Sequence, residues 1–226
     1  LHCFGKTYDQ DGLWHIVANG LPLDFVCPDA QETAPQLIAR AQAAGAYVSL
    51  AHPEWYTMTM DEAMTVAEAD AVEIYNYSCA LSSARGSGIA IADYLLNEGK
   101  KISFIATDDS HFEMPDFGGG WVMVAAAELS QDALVTALKS GHHYASTGPD
   151  FVDLEIINGI LTVASSPIDN VVISGAGHLA MAKTGKAMTV TQFDLAKFRS
   201  DWFRITLRDA AGKMAWSNPY FISSLK

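Results

Sequence analysis

The feature that most constrains the fold of this chain is an alternation of short apolar runs with amphipathic helical segments between residues 13 and 139. Several helical segments begin at Thr or Ser and end at Gly, as capped helices do. This βαβ alternation predicts an α/β fold with parallel strands joined by right-handed crossovers. The pattern fits a closed barrel and an open doubly wound sheet equally well. The predicted strands are 13–18, 46–51, 71–75, 102–106 and 121–127, and the predicted helices are 34–44, 61–69, 89–98 and 131–139.

The pattern changes after Gly148-Pro149. Residues 152–156 alternate between apolar and polar with period two, Asn158-Gly159 is typical of a hairpin turn, and no helical period follows. We therefore predict two domains. Residues 1–150 form the α/β domain, and residues 151–226 form a small, antiparallel, sandwich-like β domain.

Ligand-capable side chains accompany three of the apolar runs. His15 lies in or at the mouth of the first run, His52 ends the second, and Asp109 and His111 follow the fourth at a spacing of two. In an extended backbone that spacing points both side chains the same way, and ligands bind at the carboxyl ends of parallel strands. Three imidazoles and a carboxylate are suitable ligands for zinc, manganese or iron. An ordinary turn with a surface histidine is the alternative for Asp109 and His111.

Four further residues are candidates for substrate binding. Glu73 is a carboxylate inside an apolar strand, where a charge is costly without a partner, so it is either a structural glutamate or part of the site. Asn76 follows the same strand and has the same two interpretations. Arg85 lies in a flexible loop and is a candidate phosphate contact. His143 either contacts substrate or is a feature of a helix end.

Two loops adjoin the candidate ligands. Trp55 and Tyr56 follow His52 and either wall a pocket or pack on the domain. The Gly-rich loop at 113–120 is either a mobile lid or a plain connector, and Asp108 is predicted to act in a turn or behind the ligands.

Composition limits the possible partners. The chain has 26 acidic and 14 basic residues, a net charge of −12, so binding along long nucleic acid is not expected. No apolar run is long enough to span a membrane, and the three cysteines show no CxxC spacing, so we expect a cytoplasmic protein. The partner that we expect is a small-molecule substrate. Because the chain begins at Leu1 and not at Met, we expect a missing amino-terminal segment, with which any signal peptide was lost. The oligomeric state is not indicated.

Taken together, the motifs resemble the PHP family, named for polymerase and histidinol phosphatase domains, and in particular a subgroup of metal-dependent phosphoesterases with a C-terminal β domain. The resemblance implies that residues 1–150 form an irregular seven-stranded (β/α)7-type barrel that is incomplete at its amino terminus, because the family's His-x-His, Thr-Asp-His and Glu segments are absent. The matching segments are Trp-His-Ile-Val at 14–17, Ser-Leu-Ala-His-Pro at 49–53, Val-Glu-Ile-Tyr-Asn at 72–76, Ala-Thr-Asp-Asp-Ser-His at 106–111 and Tyr-Ala-Ser-Thr-Gly-Pro at 144–149.

The resemblance also implies an activity. His15, His52, Asp109 and His111 would bind two or three divalent ions of manganese, iron or zinc, with Asp109 and His52 indispensable for catalysis. A metal-activated water would then hydrolyse a small phosphorylated substrate. Two alternatives stay open. The same ligands suit hydrolysis of a carboxylic ester, carbamate or lactone, and a degenerate barrel would be a non-catalytic scaffold without tightly bound metal.

Overall fold

The computed structural model describes residues 2–4, 13–28 and 31–224. Within these ranges the chain is built mainly of strands, with 22% of residues helical, and no helix has the length and apolar character needed to cross a membrane. The strands are β1 (His2–Phe4), β2 (Leu13–Asn19), β3 (Tyr47–Leu50), β4 (Ala71–Asn76), β5 (Ser103–Thr107), β6 (Trp121–Val124), β7 (His143–Ser146), β8 (Phe151–Ile157), β9 (Ile160–Gly175), β10 (Ala180–Asp194), β11 (Trp202–Arg208), β12 (Met214–Ser217) and β13 (Tyr220–Phe221). The helices are α1 (Ala34–Ala43), α2 (Met60–Thr65), α3 (Tyr77–Ser83), α4 (Ile89–Asn97) and α5 (Gln131–Lys139), with 3₁₀ turns at Leu195–Lys197 and Ile222–Ser224.

The first sheet is mixed and has the order β1-β2-β3-β4-β5. Strands β3, β4 and β5 are parallel, which confirms the parallel pairing predicted for these strands. Strand β2 runs antiparallel to both β1 and β3. The predicted (β/α)7-type barrel is wrong, because the parallel pairing stops at β5 and the next two strands belong to another sheet.

The second sheet is antiparallel and crosses the predicted domain boundary. Its order is β10-β9-β11-β12-β7-β6, with β8 paired to β9 and β13 to β11. Strand β10 lies along one edge of β9, while β8 and β11 share the other edge, at residues 160–165 and 170–175 respectively. The expected sandwich is also wrong, because the strands after residue 150 form one sheet together with β6 and β7.

Local capping signals explain where the predicted helices begin. Gln36 accepts a hydrogen bond from the Thr33 backbone N–H at 2.9 Å, and Ser130 accepts one from Ala133 N–H at 3.2 Å. These bonds satisfy groups that a helix start leaves unpaired, so α1 and α5 begin where the sequence predicts.

The two sheets share one hydrophobic core. Trp202 and Trp216 of the second sheet belong to the same buried cluster as the apolar residues of β2 to β5, α1 and α4. Arg204, on β11, makes a bidentate ion pair with Asp93 on α4, at 2.7 and 2.8 Å. The Arg204 guanidinium is buried, so its positive charge needs a partner, and the Asp93 carboxylate provides it. The ion pair thereby connects the second sheet to the helix layer of the first.

Asn218 bonds to the outer edge of β5, where no further strand pairs within the described residues. Its side-chain oxygen accepts the backbone N–H of Phe104 at 2.8 Å, and its amide donates to the carbonyls of Gly141 and His143. One side chain therefore satisfies the Phe104 N–H on the outer edge of β5 and joins this strand to β7.

We predict that Asn218→Ala lowers the free energy of unfolding by about 1–3 kcal/mol, because it leaves the Phe104 N–H without this acceptor. Urea unfolding measures the change. The control is Asn170→Ala, since among the described contacts the Asn170 amide makes one long, exposed hydrogen bond of 3.3 Å. Equal effects for the two variants would contradict the role of Asn218.

Candidate functional site

The topology of the first sheet brings the ends of four strands together. His52 and Asp109 each lie two residues beyond the end of a parallel strand, β3 and β5, and Asn76 is the last residue of β4. His15 lies near the start of β2, but β2 is antiparallel to β3, and the Ala51 N–H donates to the His15 carbonyl at 3.2 Å. The start of one strand therefore lies at the carboxyl ends of the others.

The backbone turns sharply at two of these residues. His52 has φ of +29° and Asp109 has φ of +49°, in the left-handed region that residues with a side chain seldom adopt. Such conformations persist only where surrounding contacts hold them, and they cluster at functional sites.

Three ligand-capable groups converge at this edge of the sheet. His15 Nδ1 lies 2.8 Å from His52 Nε2, a hydrogen-bonding distance at which one ring donates to the other. His52 Nε2 lies 3.9 Å from Asp109 Oδ2, and that same oxygen accepts the Asn76 amide at 3.1 Å. The structure thus brings His15, His52 and Asp109 together.

Glu73 is the buried centre of the hydrogen bonds behind these groups. Its Oε2 accepts the His52 backbone N–H at 2.6 Å and the Asn76 amide at 2.9 Å, and its Oε1 accepts the Thr107 hydroxyl. Burial raises the pKa of the Glu73 carboxyl, while the hydrogen bonds from Thr107, Asn76 and the His52 backbone oppose the rise. At 4% exposure Glu73 positions His52 and Asn76 from behind and does not line the cavity described next.

The converging groups open onto a cavity of about 350 Å³. Burial raises the pKa of the Cys79 thiol to about 12 and that of the Tyr56 hydroxyl to about 12, so both keep their protons at neutral pH. Cys79 is therefore a protonated thiol as it stands here, and not the thiolate that a nucleophile requires. The lining residues are His15, His52, Trp55, Tyr56, Ser78, Cys79, Ser82, Asp109, His111, Glu113, Met114 and Asp116.

His111 lies on the rim of this cavity. Its Nδ1–H donates to the Asp109 carbonyl at 2.8 Å, which leaves Nε2 as the basic nitrogen of the neutral ring. The side chain is exposed, and the described contacts do not join it to His15 or His52.

Two carboxylates hold the Gly-rich loop in place. Asp108 accepts the backbone N–H groups of Gly118, Gly119 and Gly120 at 2.6, 2.7 and 2.9 Å. Asp116 accepts the Ser110 hydroxyl and the His111 N–H, and these hydrogen bonds keep the pKa of the Asp116 carboxyl below its usual range. The loop is thus anchored at its middle by Asp116 and at its C-terminal end by Asp108.

Two predicted substrate contacts lie away from the cavity. Arg85 is exposed in the loop after α3 and is not among the lining residues. His143 is buried against Tyr47, with its Nε2 3.3 Å from the Tyr47 hydroxyl. Because Tyr47 begins β3 and His52 follows its end, His143 lies at the opposite end of the sheet.

Sequence reasoning missed the helix that supplies part of the cavity wall. Helix α3 carries Ser78, Cys79 and Ser82, and Asn76 caps it by accepting the Cys79 N–H at 2.8 Å. An Asn directly before a short polar segment was a possible signal for this helix start. Asp116 and Met114 had no comparable signal, because their positions depend on how the loop folds back.

Among the residues with described positions, no group of three or more His, Cys, Asp or Glu side chains is arranged as a metal site. The arrangement is a hydrogen-bonded imidazole pair with a nearby carboxylate. The site for two or three ions stays a prediction.

Comparison with known proteins yields one structural similarity. No protein-family model and no curated protein matches the chain. Among solved structures, it is similar to a two-domain protein from Bacteroides vulgatus that contains a predicted PHP-like metal-dependent phosphoesterase, with 13% identity and a TM-score of 0.42. The similarity covers 86% of this chain but 65% of the other, so the chain spans just under two thirds of that protein.

We expect Glu73→Ala to lower the free energy of unfolding by roughly 3 kcal/mol or more, because it removes the acceptor of three hydrogen bonds, two of them buried, at about 1–3 kcal/mol each. Chemical denaturation provides the measurement. Glu68→Ala is the matched control, since Glu68 is 80% exposed in a surface ion pair worth less than about 1 kcal/mol. A Glu73→Ala variant as stable as the control would refute the central role of Glu73.

The burial of His143 leads us to predict that the protein loses stability in acid. Burial lowers the pKa of His143 from 6.5 to about 4, so the neutral ring stabilises the fold fully above pH 6.5, and this contribution is lost as the pH falls through about 4. The difference corresponds to about 3 kcal/mol. In His143→Leu the free energy of unfolding should depend less on pH between about 6.5 and 4. His178→Leu, at an exposed histidine, should keep the pH dependence of the wild type.

Proposed function

We propose that this chain is a metal-dependent hydrolase that cleaves phosphoesters. The observation that carries the proposal is the convergence of His15 Nδ1, His52 Nε2 and Asp109 Oδ2 on a cavity. The motifs that resemble the PHP family contain these same three residues, which adds support from the sequence.

The chemistry of these donors fits a divalent cation. The two ring nitrogens share one proton at 2.8 Å, and a cation that displaces this proton would gain both lone pairs and the Asp109 carboxylate. Two imidazoles and a carboxylate suit zinc, manganese or iron. Because binding releases a proton, affinity should rise with pH. We propose His15, His52 and Asp109 as the ligands, with His111 Nε2 as a further candidate.

A bound divalent ion would lower the pKa of a water and offset negative charge on a phosphoryl oxygen. The protein's own contribution is to hold the ligands. Asn76 fixes the Asp109 carboxylate, and Glu73 fixes the backbone of His52. The protonated Tyr56 hydroxyl and the hydroxyls of Ser78 and Ser82 are the neutral hydrogen-bonding groups that the cavity offers to a phosphoryl oxygen.

Asp109→Asn should abolish both metal retention and turnover, because the amide cannot supply the carboxylate's charge. We expect a fall in kcat/KM well beyond the roughly 10- to 100-fold that loss of a residue behind a metal ligand causes. Elemental analysis measures metal content after purification without chelator. Release of p-nitrophenol from matched phosphate and carboxylate esters measures turnover and the preferred class.

Asp61→Asn is the control, since Asp61 is an exposed carboxylate in the first turn of α2. It should retain metal and activity. Preference for the carboxylate ester would replace the phosphoesterase proposal with the carboxylic ester alternative. A wild-type chain without metal or turnover would favour the non-catalytic scaffold.

A further inference from the structure

Part of the cavity wall is apolar and open to solvent. Trp55 and Met114 line the cavity and are 46% and 38% exposed, and Tyr56 lies beside them in the lining. Large apolar side chains that stay exposed inside a concave site are a feature of ligand-binding surfaces. The proposed chemistry at His15, His52 and Asp109 uses the Tyr56 hydroxyl but neither Trp55 nor Met114.

The wall begins next to a proposed metal ligand. The Trp55 ring packs edge-on against His52, with ring centroids 5.3 Å apart, and the Tyr56 ring lies 5.0 Å from the same imidazole. A phosphoryl group held at His52 would therefore have these rings within reach of its ester substituent. Aromatic rings pack favourably against apolar and aromatic groups.

The charge of the cavity limits the charge of the ligand. Asp109, Glu113 and Asp116 line it, and among the lining residues with described positions there is no Lys or Arg. A divalent ion on His15, His52 and Asp109 would offset the Asp109 charge, but Glu113 and Asp116 would still face the ligand. A dianionic phosphate would therefore meet more repulsion from these two carboxylates than a monoanion.

The apolar wall is preformed. Met114 lies in the loop that Asp108 anchors through the N–H groups of Gly118, Gly119 and Gly120, and that Asp116 anchors through Ser110. A ligand would find this surface in place, so little ordering cost opposes binding.

We propose, on the basis of the proposed function, that the substrate is a phosphodiester monoanion with an aromatic or bulky alkyl group, and that this group packs against Trp55 and Met114. This assignment excludes small, doubly charged phosphate monoesters as the preferred substrates.

Binding of two matched, non-hydrolysable monoanions tests the proposal. Methylphenylphosphinate and dimethylphosphinate differ only in the apolar group, and NMR-detected titration gives the Kd of each for the chain with and without manganese. We expect the phenyl compound to bind about tenfold tighter or more, because its ring leaves water on binding. Phenylphosphonate at pH 8, where it is mainly a dianion, should bind more weakly than methylphenylphosphinate.

Variants locate the effect. Met114→Ser and Trp55→Ser should each bring the ratio of the two Kd values towards one. Trp55 contacts the His52 ring, so its substitution could also disturb that proposed ligand, whereas Met114 makes no ring contact with His52. The control is Phe117→Ser, since Phe117 is 76% exposed on the same loop but does not line the cavity. It should keep the wild-type ratio.

The outcomes separate this inference from the function on which it rests. Equal affinity for the two phosphinates, or a ratio unchanged by Met114→Ser and Trp55→Ser, would overturn the apolar specificity even if metal binding and hydrolysis are found. Failure of the proposed function would instead appear as a wild-type chain that retains no metal and shows no turnover. The phenyl preference measured without metal still decides whether the wall binds an apolar group.

Discussion

The site depends on one buried carboxylate. Glu73 accepts hydrogen bonds from the His52 backbone, the Asn76 amide and the Thr107 hydroxyl, and so links the carboxyl ends of three parallel strands. A carboxylate can accept several bonds at once, which no apolar residue at this position could do. The left-handed turn at His52 is held in place by one of these bonds, and the Asp109 carboxylate by the amide of Asn76. The convergence of the candidate ligands follows from this network.

The second sheet provides the support that a closed barrel would otherwise provide. Its Trp202 and Trp216 belong to the core of the first sheet, and Asn218 accepts the Phe104 N–H at the outer edge of β5. The ion pair between Arg204 and Asp93 fixes the sheet to α4. The strands behind the site are therefore buried on a shared core, while the cavity is built from the segments beyond their ends.

Much of the local structure could be predicted from the sequence. Helix starts at Thr33 and Ser130 follow from capping, and the pairing of β3, β4 and β5 follows from their alternation with helices. The same patterns could not predict how the strands are divided between the two sheets, so the expected barrel and sandwich were wrong. Strands β6 and β7 have the same apolar pattern whichever sheet they join, and only their pairing with each other and with β12 places them in the antiparallel sheet.

For the site, the sequence by itself determined which side chains stand at the strand ends, because an apolar run must stop where polar residues begin. It thereby singled out His15, His52 and Asp109 before their positions were known. Only the tertiary structure decided that His143 lies at the far end of the sheet, that His111 stands apart on the rim, and that Met114 reaches the cavity wall. The reason is physical: sequence spacing fixes direction within one strand, whereas distances between residues far apart in the chain depend on strand pairing and loop anchoring.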